Sequence, residues 1–123
     1  MAMTAMDLVA EAKTHIREVD AATARAMVGT ALVLDVREPA EYGGGCLPGA
    51  VNIPRGVLEF QIGNHPAFQG KQGAEILVYC LSGGRSALAV EALQKLGYTG
   101  PVSLAGGFKG WQESGGAVVA PGG

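Results

Sequence analysis

The sequence predicts an α/β fold, a mainly parallel sheet covered by helices on both faces. Three observations predict it. The runs "ALVLDV" (31–36), "EILVY" (75–79) and "VSL" (102–104) are short, apolar and too continuous for half-exposed strands. Segments of helical periodicity alternate with them, as in parallel sheets joined by helical crossovers. Glycines separate the elements: the chain has 20 in 123 residues, many in runs at 43–45, 83–84, 106–107 and 115–116, which read as tight loops.

Each element follows from its local pattern. Residues 3–13 predict an amphipathic helix with Met6, Val9 and Ala10 on one side. "HIREV" (15–19) reads as a strand. Asp20 caps the helix "AATARAMV", which Gly29 ends. After the strand at 31–36, "EPAEY" (38–42) forms a brief helix with Pro39 in its first turn. "AVNI" (50–53) is a strand closed by Pro54, and "GVLEFQI" gives one or two helical turns. After the strand at 75–79 comes the clearest helix, "RSALAVEALQKL" (85–96), with 88, 89, 92, 93 and 96 on one face and Gly97 as its stop. The strand at 102–104 leads to a last helix, "FKGWQES" (108–114), whose Phe108 and Trp111 should pack on the sheet. The tail "AVVAPGG" reads as loosely held or partly strand. No repeat or linker interrupts the pattern, so one domain is expected at 15–118, with a helical extension at 1–14 and a loose tail at 119–123.

Composition removes several functions. A net charge of −2 offers no electrostatic basis for binding nucleic acid or an anionic membrane. The start shows no basic region followed by an apolar one, and no run approaches the ~20 apolar residues of a membrane span. A cytoplasmic location is the expectation. The two cysteines, Cys46 and Cys80, form no CxxC. His15 and His65 lack metal-ligand spacing, and no GxxxxGK[ST] loop is present, so neither metal nor cofactor is expected.

The stretch "VYCLSGGRS" (78–86) carries chemistry. In open α/β sheets, sites form beyond the carboxyl ends of strands. Cys80 lies between a strong strand and the strongest helix, so its thiol should sit at that edge. Gly83 and Gly84 let successive N–H groups turn inward as an anion nest. The helix N-terminus and Arg85 add positive charge, and Ser82 and Ser86 add hydroxyl donors. Ionisation alone is a poor reason for such a cradle. Lowering a free thiol's pKa by about two units gives ~25-fold more thiolate but forfeits roughly six- to tenfold in intrinsic reactivity. Holding an anionic substrate and a charged covalent intermediate is the better purpose.

"LDVREPAEY", "LPGAVNIP", "YCLSGGRS" and "LAGGFKGW" follow one another here as in single-domain rhodaneses, which the chain resembles over roughly residues 15–118. The resemblance implies a three-layer sandwich around a five-stranded sheet. It implies sulfurtransferase activity through a persulfide on Cys80, held by the backbone N–H groups of Leu81, Ser82, Gly83, Gly84 and Arg85, with Ser86 beside them. The implied donor is thiosulfate or a similar small anion, and the acceptor a thiol, cyanide or a sulfur-relay protein. Related phosphatases place five residues between cysteine and arginine; here there are four, which suits one sulfur atom better than a tetrahedral oxyanion. A relay module with little free thiosulfate turnover and a phosphatase or arsenate reductase remain the alternatives.

Asp35 and Arg37 follow a buried strand and should reach the same edge. They either support the loop and contact substrate, or Asp35 bonds backbone N–H groups while Arg37 makes an ion pair. Arg55, after "AVNIP", either attracts an anionic donor at the pocket rim or is a solvated surface arginine. Cys46 stands where the family usually has histidine ("GHIPGA" against "GCLPGA"). It reads as a packing residue toward the opposite edge of the sheet from Cys80, too far away for a disulfide.

Overall fold

A computed structural model of the chain describes residues 2–122. In order, the elements are α1 (Ala5–Lys13), β1 (Glu18–Val19), α2 (Ala21–Met27), β2 (Leu32–Asp35), α3 (Pro39–Gly43), β3 (Ala50–Asn52), a 3₁₀ turn (Arg55–Val57), α4 (Leu58–Gln61), a second 3₁₀ turn (Ile62–Asn64), β4 (Ile76–Tyr79), α5 (Gly84–Lys95), β5 (Pro101–Leu104) and α6 (Gly107–Glu113). The five strands form one parallel sheet in the order β1-β5-β4-β2-β3. β4 is central, fully buried, and paired on both sides.

Strand alternation sorts side chains onto two faces. Leu34, Val36, Ile76, Val78 and Cys80 join Leu58 of α4 and Ala89, Val90 and Leu93 of α5 in one core layer. Val33, Leu77, Tyr79, Val102 and Leu104 pack with Ala24 of α2 and with Phe108 and Trp111 of α6 in the other. The Trp111 indole N–H donates to the Ala117 carbonyl at 2.8 Å.

Two helix faces differ from the sequence expectation. On α1 the buried residues are Val9 and Ala12, whereas Met6 is 71% exposed. On α5 they are Ser86, Ala87, Ala89, Val90 and Leu93, and Leu96 is exposed. One partner explains both shifts. α1 lies along α5, with Val9 and Ala12 against Ala87, so α5 is covered from two sides and its buried arc widens. The tail is also held in part: Val119 exchanges both backbone hydrogen bonds with Cys46 at 2.9 Å.

Candidate active site

Cys80 is the first residue after β4, and α5 begins four residues later. The turn between them is compact because Gly83 takes φ +108°, a conformation that disfavours any side chain. Its N–H therefore points inward and donates to the Cys80 sulfur at 3.1 Å. The Ser86 N–H, in the first turn of α5, donates to the same sulfur at 3.3 Å. The Ser86 hydroxyl lies 3.5 Å from it and 2.8 Å from the hydroxyl of Ser103 on β5. Helix α6 fixes the other side of the loop. The N–H groups of Phe108 and Lys109 donate to the carbonyls of Cys80 and Leu81 at 2.8 and 3.0 Å. Gly107 makes that approach possible: a Cβ there would lie 2.6 Å from the Cys80 carbonyl oxygen.

The structure places Cys80, Leu81, Ser82 and Gly83 in the turn after β4, and Gly84, Arg85 and Ser86 in the first turn of α5 directly behind it. The thiol is not at an open edge, however. Cys80 is 1% exposed, on the floor of the loop, beneath an exposed Leu81 and Ser82. The inward amides that solvate the sulfur also draw it under the backbone.

Arg85 is half-exposed and bound to Glu41 of α3 by two hydrogen bonds, at 2.7 and 3.1 Å. The sequence reading missed Glu41, although it sits in the quoted "REPAEY". That pair holds the Glu41 carboxyl down at about 2, from an ordinary 4.5, against a smaller opposing effect of burial. A depressed carboxyl contributes stability above its unfolded value and loses it as pH falls through the folded one. The Arg85–Glu41 clasp is therefore at full strength above about pH 4.5 and opens only toward pH 2.

Asp35 and Arg37 form a closed network on the other face of the sheet. Both are buried, 2.7 Å apart at their closest atoms. Asp35 accepts from the Arg37 backbone N–H and from the Arg37 guanidinium, and Tyr79 donates its hydroxyl to Asp35 at 2.7 Å. Arg37 also donates to the Gly45 carbonyl and lies 4.2 Å over the Phe108 ring. Both plain readings thus hold together, the backbone contact of Asp35 and the ion pair of Arg37. The polar atoms of the network are occupied by one another and by Gly45 and Leu47, and Tyr79 is the chain neighbour of Cys80. Arg55 pairs with Glu59 at 2.9 Å, in a cleft with Leu88, Glu91 and Lys95 of α5.

Cys46 is buried as a packing residue, but its location differs from the expectation. It lies on the face opposite Cys80, in the layer with Tyr79 and Phe108, and close enough to Asp35 and Arg37 to feel their charges. Segment 44–47 climbs back over that face after α3: Arg37 reaches Gly45, and the Leu47 N–H donates to the Tyr79 hydroxyl at 3.1 Å. The sheet itself separates the two thiols, and both are free. Burial pushes the Cys46 thiol up.

The model of the Rhodanese-like domain family matches residues 18–114, from β1 through the end of α6. The chain belongs to the rhodanese-like domain family. It is 33% identical over 90 residues to a sulfurtransferase of Allochromatium vinosum, covering 73% of this chain and 79% of that protein. It is 36% identical over 94 residues to the human thiosulfate:glutathione sulfurtransferase, covering 69% and 82%. A solved structure from Rhodopseudomonas palustris, described as a protein of unknown function and possible tyrosine phosphatase, superposes with a TM-score of 0.86 at 29% identity, over 97% and 96% of the two chains. The two relatives named as sulfurtransferases support rhodanese-type sulfur transfer in general. Among the described residues, no helix is long and apolar enough to cross a membrane.

Proposed function

We propose that this rhodanese-family protein moves sulfane sulfur through a persulfide on Cys80. The observation that carries the reading is the pair of inward N–H groups, from Gly83 and Ser86, on one sulfur in a loop with four residues between cysteine and arginine. In the first half-reaction the Cys80 thiolate attacks the outer sulfur of thiosulfate. A new S–S bond forms, the old one breaks, and its electron pair leaves on sulfite. The negative charge then rests on the outer sulfur of Cys80–S–S⁻, within a nest of main-chain amides. In the second half-reaction an acceptor thiolate or cyanide attacks that outer sulfur, and Cys80 leaves as thiolate. A relay protein would use the same chemistry with a protein thiol as donor or acceptor.

The test is intact-protein mass spectrometry after thiosulfate, beside an assay with p-nitrophenyl phosphate. One added sulfur, mapped to Cys80 and discharged by cyanide, is the expected result. A Cys80 that takes no sulfur and resists alkylation in the native protein would overturn the reading. Phosphate ester hydrolysis without sulfur loading would instead favour a phosphatase. Comparing steady-state thiosulfate:cyanide turnover with transfer from a protein persulfide separates enzyme from relay.

The clasp makes a second prediction. Glu41 offsets the one cation of the loop, so Glu41→Gln leaves Arg85 with a net charge facing an anionic donor. The KM for thiosulfate is expected to fall about threefold at low salt. The difference should vanish near 1 M salt, where the screening length is about 3 Å. An unchanged KM at low salt would show that the Arg85 charge does not reach the donor.

A further inference from the structure

Ser103 places a hydroxyl in the interior of the sheet. It is fully buried on β5, in register with Val78, while its neighbours Val102 and Leu104 face the other layer. A buried hydroxyl is unfavourable unless it is bonded. The partner of this one is Ser86 Oγ at 2.8 Å, and Ser86 Oγ is 3.5 Å from the Cys80 sulfur. Three groups therefore stand in a row, all closed from solvent: the Cys80 sulfur, Ser86 Oγ and Ser103 Oγ.

The protons in this row decide its direction. With Cys80 as a thiol, the S–H donates to Ser86 and Ser86 donates to Ser103. The Ser103 proton then has no side-chain or backbone acceptor among the described residues. With the sulfur as an anion, Ser103 donates to Ser86 and Ser86 donates to the sulfur. Every proton is then matched. The charged group nearest in sequence to this row is Arg85, already held by Glu41. Asp35, Arg37 and Tyr79 lie across the sheet.

We infer that Ser103 is a positioning residue for the Cys80 nucleophile: its hydroxyl donates to Ser86 Oγ and so turns the Ser86 proton onto the sulfur. This rests on the reading that Cys80 is the atom that accepts sulfur. The Cys80 thiolate attacks in the first half-reaction and leaves in the second, so the arrangement serves both. Ser103 touches no substrate, so its loss acts on the rate and not on donor binding.

The experiment compares Ser103→Ala, Ser86→Ala, the double variant and Ser103→Thr with the wild type. Two quantities are read: iodoacetamide alkylation of Cys80 as a function of pH, and the rate of sulfur loading at varied thiosulfate. For Ser103→Ala, alkylation at pH 7 should slow about five- to tenfold, the scale of one neutral hydrogen bond. Its pH profile should move upward, and loading should lose kcat with KM unchanged. The double variant should be no slower than Ser86→Ala alone, because the two hydroxyls act in series. Ser103→Thr keeps the hydroxyl and should recover most of the rate. Should the alanine variant fail to fold, Ser103→Val, which suits a strand and offers no donor, gives the same readout. Wild-type alkylation in Ser103→Ala, or losses that multiply in the double variant, would overturn the inference. A wild type that shows this alkylation pattern but loads no sulfur would refute the transfer reading and leave the positioning intact.

Discussion

Cys80→Ser is expected to lower sulfur transfer by at least about 10³-fold, the order seen when a catalytic nucleophile is removed. Serine keeps the shape and still accepts from the Gly83 and Ser86 amides. It has no accessible anion at neutral pH and cannot carry a second sulfur, so the cradle would remain while the chemistry stops. The matching control is Cys46→Ser. Cys46 lies across the sheet, where its sulfur lies 3.6 Å from the Val119 carbonyl oxygen. Its replacement should leave transfer within about twofold and cost about 1 kcal/mol of stability, the scale of an ordinary point change. The two variants are compared by thiosulfate:cyanide turnover, with thermal melts as the folding control. Appreciable turnover in Cys80→Ser, or its loss in Cys46→Ser, would move the chemistry away from the loop.

The parts of this site that sequence exposes are those fixed by short-range rules. A buried strand, a thiol, two glycines and a helix lie consecutively at 76–95, so Cys80 and its loop could be read before any coordinates. The parts that stayed hidden are long-range. Ser103 looks like a small residue in a strand until β5 registers against β4 beside it. Glu41 looks like a helix-start carboxylate, and it does receive the Glu38 N–H, until α3 is placed beside the start of α5. The burial of Cys80 was equally illegible. Chain order gives the strand end but not how far the following loop folds back over it. Helix faces failed for the same reason: periodicity identifies one stripe, and α5 is covered on two sides because α1 docks along it. Cys46 was assigned an edge when the return of segment 44–47 gave it a face.

Asp35→Ala should be the most destabilising single change among the residues near the site. The carboxylate is fully buried and accepts four kinds of contact: the Arg37 backbone, two guanidinium nitrogens and the Tyr79 hydroxyl. Burial pushes the Tyr79 phenol far up, so Tyr79 remains a donor at any working pH. Without Asp35, the Arg37 guanidinium remains 3% exposed against Phe108, with Gly45 as its one remaining carbonyl partner among the described residues. Stranding a buried charge in this way costs about 3–5 kcal/mol, a large share of the roughly 5–15 kcal/mol that holds a domain of this size together. The melting temperature should fall by on the order of 10–20 °C. Removing the second charge distinguishes an ion-pair effect from lost packing. Asp35→Ala with Arg37→Met should melt higher than Asp35→Ala alone, because the uncompensated cation is gone. Because Tyr79 precedes Cys80 directly, the single variant should also slow transfer in whatever fraction remains folded. A melt within about 3 °C of the wild type would mean that Arg37 finds water or another partner. A double variant that melts lower still would mean that the guanidinium stem, and not its charge, was the missing contact.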